Sequence, residues 1–238
     1  MTVFLLSERI AFPPPTLAEK DGLLAVGGDL SQSRLLLAYR LGIFPWFSEG
    51  DPILWWSPDP RLVLYPKDIK ISKSLMKVIR KGVFRVSMDT AFEKVIQECA
   101  TVHRKQDEGT WINDRMIEAY CRLHESGYAH SVEAWRGQEL AGGLYGVSLG
   151  KCFFGESMFT RVSNASKVSL VVLSSYLMTQ NFDFIDCQVT TAHLNRLGAR
   201  EIPRKSFIRQ LRRALDAPTI RGRWNFPAST EKAVQLST

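Results

Sequence analysis

Asp186 and Gln188 stand two residues apart in the apolar run Phe182-Asp183-Phe184-Ile185-Asp186-Cys187-Gln188-Val189. Alternate side chains of a strand share a face, so this run, read as a strand, sets the carboxylate and the amide side by side. Two adjoining polar side chains in a largely apolar strand make a candidate site. Cys187 falls on the opposite face with Ile185 and Val189, which argues for a small core residue and against a cysteine hydrolase built from Cys187 and His193. The same alternation in Phe154-Gly155-Glu156-Ser157-Met158-Phe159 sets Glu156 between Phe154 and Met158. A carboxylate among apolar neighbours needs a partner. Backbone donors or an arginine would satisfy either acid structurally.

A second constellation is aromatic. Three of the six tryptophans, Trp46, Trp55 and Trp56, sit within eleven residues of a Pro-rich loop. Such a loop is either a compact aromatic core or a stacking platform for a base. Charge adds to the second reading. The net charge of +7 is concentrated in two segments, residues 67 to 85 with seven Lys/Arg against one acid and residues 196 to 223 with nine against two, while the rest of the chain is net acidic. Lys70, Lys73, Lys77 and Lys81 recur at helical spacing beside Leu75, Val78 and Ile79; Lys205, Arg209, Arg212 and Arg213 do so beside Phe207, Ile208, Leu211 and Leu215. Each is a basic stripe over an apolar face, which is either an ordinary solvated surface or, for the pair, a track for a phosphate backbone.

The elements that must position these residues follow from periodicity and turn residues. A helix is expected from about Ser31 to Leu41, capped by Asp29 or Ser31 and stopped by Gly42. Helices near 89 to 99 and 112 to 125 precede a three-stranded meander over Ser131 to Trp135, Leu140 to Val147 and Cys152 to Phe159. A helix from about Asn164 to Met178 then leads into the strand at Phe182 to Val189 and a further helix stopped at Gly198. This is the element order of a GNAT-like acyltransferase core. The fold class is α+β, with a small N-terminal domain over residues 1–62 and a GNAT-like domain with a mostly antiparallel central sheet over residues 63–238. A chain of 238 residues, 45% of them apolar, buries a substantial core. No basic leader opens it and no apolar run approaches the ~18 residues that span a bilayer. The four scattered cysteines form no Cys-x-x-Cys pair, so neither a disulfide framework nor a metal site is expected, and the reducing cytoplasm is the expected location.

Six strings in order carry a resemblance: Gly42-Ile43-Phe44-Pro45-Trp46-Phe47, Trp55-Trp56-Ser57-Pro58-Asp59-Pro60-Arg61, Gly109-Thr110-Trp111-Ile112, Phe154-Gly155-Glu156-Ser157-Met158-Phe159, Asn164-Ala165-Ser166-Lys167 and Asp186-Cys187-Gln188. Together they resemble the bacterial leucyl/phenylalanyl-tRNA–protein transferases, from about Ile10 to Arg204. The resemblance implies a two-domain enzyme that moves Leu or Phe, and less readily Met, from aminoacyl-tRNA to a protein beginning with Arg or Lys, creating a degradation signal. By similarity, Trp46 and Trp111 hold the terminal adenosine of the tRNA, and Asp186 with Gln188 handles the acceptor's α-amine, the Gln188 carbonyl accepting from its N–H and Asp186 fixing and polarising the amide. An ordinary Asp, with a pKa near ~4, is a poor base toward an ammonium group, so orientation is the expected role. For an acceptor of this kind a desolvated Glu156 would discriminate for the cationic Arg or Lys side chain. The donor side-chain pocket maps onto Leu144, Met158, Leu173, Leu177 and Ile185, and Lys73, Lys77, Arg209 and Arg212 are the expected contacts to the tRNA backbone. The expected partners are aminoacyl-tRNA and acceptor proteins, with no cofactor, metal or membrane, and the expected state is a monomer. A coenzyme-A acetyltransferase would share the fold, but Phe159-Thr160-Arg161-Val162-Ser163-Asn164 lacks the Gly-rich turn that cradles a pyrophosphate. A non-catalytic RNA-binding protein would explain charge and aromatics but not Asp186 beside Gln188.

Overall fold

The computed structural model describes residues 3–104 and 111–225. The N-terminal part holds strands β1 (Phe4–Leu6) and β2 (Leu23–Gly27), helix α1 (Gln32–Arg40), and strands β3 (Phe44–Pro45) and β4 (Leu54–Trp56). The strands form a four-stranded sheet of order β1-β2-β4-β3. Helix α1 starts where the Ser31 hydroxyl accepts from the Arg34 N–H, while Asp29 instead accepts from the Ser31 N–H. It stops at Gly42, whose φ of 75° is open to glycine at little cost.

The rest of the chain builds around one large sheet. Its elements in order are β5 (Arg61–Leu64), α2 (Lys73–Arg80), β6 (Arg85–Met88), α3 (Phe92–Arg104), α4 (Asp114–Glu125), β7 (Ala129–Arg136), β8 (Glu139–Leu149) and β9 (Cys152–Thr160). Helix α5 (Ala165–Thr179), β10 (Phe184–Gln188), α6 (Ala192–Arg196), β11 (Arg200–Ile202) and α7 (Arg204–Leu215) complete it. The sheet has seven strands in the order β11-β5-β10-β9-β8-β7-β6. Every pairing is antiparallel except β9 with β10, which are parallel because α5 crosses between them.

Apolar residues cover both faces of this sheet. On one face Tyr145, Val147, Phe154 and Phe184 pack with buried residues of α1, α3, α4 and α7. On the other, Leu144, Phe153 and Ile185 pack with residues of α2 and α5. Sequence neighbours thus divide between faces, as period two requires. A sheet covered on both sides tolerates few polar residues at its centre, which makes the buried Glu156, Asp186 and Gln188 exceptions needing an account.

Two β-bulges set the positions of those three. The β8–β9 register passes from Tyr145 opposite Ser157 to Gly146 opposite Gly155, leaving Glu156 as the extra residue. The β5–β10 register passes from Val63 opposite Asp186 to Leu62 opposite Gln188, leaving Cys187 extra. A bulge re-aims the side chains beside it. The regular alternation expected for both strands is therefore corrected: Phe154 and Met158 pack against opposite faces of the sheet, and Gln188 takes a left-handed φ of 62° that ends the period-two pattern. The meander, α1 and the helix–strand–helix sequence after it all form as expected. The first basic helix is shorter than expected, with Lys70 before it and Lys81 at its C-cap.

Candidate active site

Beyond Phe154 and Asp186 the β9–β10 ladder ends, and the polar residues gather there. Arg61, at the start of β5, grips Asp186 in a bidentate ion pair, Nε to Oδ1 at 2.8 Å and Nη2 to Oδ2 at 2.7 Å, with both side chains at most 1% exposed. The guanidinium lies between the rings of Phe44, 4.8 Å away, and Phe207 of α7, 4.6 Å away. Oδ1 of Asp186 also accepts the backbone N–H of Gln188 at 2.9 Å. That bond steadies the left-handed backbone of Gln188, a conformation a non-glycine residue keeps only when its surroundings hold it.

The expected contact between Asp186 and the side-chain amide of Gln188 is not formed. Asp186 is committed to Arg61 and to backbone, and the Gln188 amide Nε2 donates instead to Glu156 Oε1 at 2.8 Å. Glu156 is 8% exposed and takes two further donors, the Tyr39 hydroxyl of α1 on Oε1 at 2.8 Å and the Tyr120 hydroxyl of α4 on Oε2 at 3.0 Å. The two hydroxyls also touch each other. Burial pushes the Glu156 carboxyl up to about 7 and the nearby Asp186 charge adds to it, against the lowering effect of the three hydrogen bonds. Burial likewise raises Tyr39 and Tyr120 well above the ordinary phenol range, so both hydroxyls keep their protons. Cys187 packs against the α5 face, and burial raises its thiol far above neutrality, which disfavours the thiolate that a nucleophile needs.

Leu144, Leu173, Leu177 and Ile185 are buried in one cluster on the α5 face of the sheet, with Met158 packed against it and opposite Leu144 in register. This face lies opposite the one that holds Tyr39 and Tyr120. Trp46 is 42% exposed, its ring 6.0 Å from that of Trp56, and Trp111 is half-buried just before α4. Gly109 and Thr110 of its motif lie outside the described residues. Lys73 and Lys77 on α2 and Arg209 and Arg212 on α7 are all exposed. Together with Arg80 and Lys81, the two α2 lysines line a surface groove floored by Ile71 and Met76.

Arg61, Tyr39 and Tyr120 escaped the sequence reading. For the tyrosines a signal exists: each sits on the apolar stripe of its helix, and a buried phenol needs a hydrogen-bond partner. For Arg61 the only hint is its place at the end of the Trp/Pro-rich string.

Two family models match the chain, one for leucyl/phenylalanyl-tRNA protein transferase over residues 63–212 and one for the N-terminal domain of the same proteins over residues 28–59. The chain belongs to the leucyl/phenylalanyl-tRNA–protein transferase family. A member from Syntrophobacter fumaroxidans is 63% identical over 208 residues, covering 87% of this chain and 89% of its own. Members from Desulfatibacillum aliphaticivorans and Syntrophus aciditrophicus are 59% and 58% identical over 225 and 233 residues. These cover 94% and 98% of this chain and 97% and 98% of theirs. All three are named leucyl/phenylalanyl-tRNA–protein transferases. The chain is accordingly an aminoacyltransferase of this family, working on aminoacyl-tRNA and a protein acceptor. Among the described residues, no helix is long and apolar enough to cross a membrane.

Proposed function

We propose that the enzyme transfers Leu or Phe, and less readily Met, from tRNA to the α-amine of proteins that begin with Arg or Lys, and that the product carries a degradation signal. One observation carries this reading. At the point where β9 and β10 part, a polar cluster of Gln188 and Glu156 on one face of the sheet adjoins an apolar cluster on the other, so an acceptor's amine and a donor's side chain have separate, chemically matched surroundings. The meander, the crossing helix α5 and the parallel return of β10 support a GNAT-like core over residues 63–238, joined to a small domain over residues 1–62.

In this reading Leu144, Met158, Leu173, Leu177 and Ile185 receive the donor side chain and exclude charge by its desolvation cost. Trp46 and Trp111 hold the terminal adenosine by stacking, and Lys73, Lys77, Arg209 and Arg212 meet phosphates. Glu156 is the acceptor-binding carboxylate. Gln188, whose NH₂ is taken up by Glu156, has a side-chain carbonyl that accepts from none of the described residues and can align the amine, while Asp186 fixes the Gln188 backbone. Little covalent help is needed, because the donor ester is already activated and an α-amine of pKa ~8 is partly free at neutral pH. Holding ester and amine together is worth up to roughly 7–11 kcal/mol. The enzyme acts as a cytoplasmic monomer without a cofactor. The test uses labelled Leu-tRNA, Phe-tRNA and Met-tRNA with peptides starting with Arg, Lys or Ala. Transfer of Leu and Phe to the first two peptides alone is expected, and equal labelling of the Ala peptide would overturn the acceptor assignment.

A further inference from the structure

The three oxygen-bearing groups Tyr39, Tyr120 and Glu156 form a closed triangle of contacts: hydroxyl to hydroxyl, Tyr39 to Oε1 and Tyr120 to Oε2. Each contact between oxygens requires one proton to be a hydrogen bond, since a hydroxyl supplies one and a carboxylate none. With Glu156 ionised there are two protons for three contacts. One contact then sets lone pair against lone pair in a buried site, at the cost of an unmade bond. With Glu156 protonated there are three protons for three contacts: Oε2–H donates to Tyr120, Tyr120 to Tyr39, and Tyr39 to Oε1. The ring is complete, with Gln188 Nε2 as the fourth donor. The cluster is thus built one proton short.

Oε1 has both lone pairs occupied, by Tyr39 and Gln188, whereas Oε2 takes only Tyr120 among the described residues. Glu156 also keeps a small exposed area, while Tyr39 and Tyr120 have none. A proton can therefore enter at one place, the free side of Oε2, and it completes the ring when that O–H turns about the Cδ–Oε2 bond toward Tyr120 while Tyr120 turns its own toward Tyr39. We infer that Glu156 is the group that takes the proton from the acceptor's α-ammonium, with the Tyr39–Tyr120 pair making it a proton acceptor. This rests on the transferase reading and deepens it. The ammonium gives one proton to Oε2, and the nitrogen lone pair so freed attacks the ester carbonyl carbon. The bond from that carbon to the ribose oxygen breaks with its electron pair on the oxygen, which takes the second amine proton, and Glu156 later releases its own to solvent. The peptide bond forms, the tRNA leaves as its hydroxyl, and one proton is released.

The groups facing Glu156 favour this role from every side. Tyr39 of α1, Tyr120 of α4 and Tyr145 of β8 stay neutral, and on β10 Gln188 is uncharged while the Asp186 charge, paired with Arg61 of β5, still adds to the rise of the carboxyl. Among the described residues, no cation touches the carboxylate to hold it ionised. An ordinary Glu would be too weak a base for an amine, but burial raises this carboxyl to about 7, within reach of an α-amine near ~8.

Glu156→Gln tests the inference, because an amide supplies a permanent N–H where the protonated acid has its O–H and so fills the ring for good. With an Arg-initiated peptide, wild-type kcat/KM is expected to fall on the acid side with a limb near pH 7 that stays put when the peptide's amine pKa is changed. Glu156→Gln is expected to lose about tenfold at pH 7, where roughly a tenth of an α-amine of pKa ~8 is free, its remaining rate tracking the free amine alone and the loss shrinking as pH rises. A wild-type limb that moves with the peptide's amine and is shared by Glu156→Gln would overturn the inference. Infrared spectra of the full chain give a readout without substrate. A carboxylic acid C=O band titrating near pH 7, well above the ~4 of ordinary carboxyls and absent in Glu156→Gln, is expected; its absence from the wild type would also overturn the inference. Failure of the wild type to transfer at all would instead sink the transferase reading, leaving the spectra to judge the ring.

Discussion

Arg61 and Asp186 share one buried ion pair, so neither can be removed without stranding the other's charge. Breaking a buried pair in this way costs ~3–5 kcal/mol. Asp186→Ala and Arg61→Met are each expected to lose that much in urea unfolding, so an activity loss in either mixes instability with chemistry. Gln188→Ala is the cleaner variant: it should lower turnover while tRNA affinity, measured by filter binding, stays near that of the wild type. An affinity loss equal to the turnover loss would move Gln188 out of the amine's site. Glu156 makes a separate claim on stability. Its carboxyl is raised from 4.5 to about 7, so between those values the folded chain holds a proton that the unfolded chain has lost. Stability from this group is thus full at low pH and declines as pH rises through that window. Glu156→Gln should flatten the decline, and unfolding free energies of both proteins at pH 5 and pH 8 check it. The identities of Asp186, Gln188 and Glu156 were legible in the sequence because polar residues in apolar strands stand out. Their bonding was not, because Arg61 lies 125 positions from Asp186 and Tyr39 lies 117 from Glu156.

At the scale of elements, helices and the long meander strands follow from local periodicity and caps, and these were readable. The short strands β5, β6 and β11 have three or four residues each and owe their existence to pairing with distant neighbours. The bulges were hidden for the same reason, since a register shift belongs to two strands at once. At the first of them a side chain on Gly146 would place its Cβ 2.2 Å from the Phe154 carbonyl oxygen, so β8 can approach β9 there only without one. The bulge decides which face each β9 residue serves, and with it which residues line the proposed donor pocket. Leu177 on α5 is fully buried in the same cluster as Leu144. Leu177→Phe should narrow the space for the donor and lower the ratio of Phe to Leu transfer at equal charged-tRNA concentrations. Overpacking costs ~1–3 kcal/mol, so the ratio is compared within one preparation of folded protein. An unaltered ratio would take Leu177 out of the pocket.

For the molecule as a whole, the distribution of charge matters more than its total. Helix α7 faces two ways: its buried Phe207 flanks Arg61, while Arg209 and Arg212 on the same helix face solvent. Contact between this helix and α1, which carries Tyr39, ties the exposed basic face to the polar cluster through packed side chains. Helix α2 presents Lys73 and Lys77 beside a groove, its apolar Leu75 and Ile79 anchored under α5. If these four residues meet tRNA phosphates, each releases condensed counterions on binding, and the slope of log affinity against log salt should lessen by ~0.7–0.9 per contact removed. Reversing all four charges is expected to weaken binding at low salt strongly and at high salt little. Unfolding in urea should stay near wild type, because exposed charges contribute little to stability. The salt series is run with charged tRNA and again with a short aminoacyl-ended oligonucleotide that carries too few phosphates to reach both helices. A slope change confined to full-length tRNA places the two helices on the body of the tRNA, away from its aminoacyl end. A slope that is unchanged with both would remove them from the binding surface.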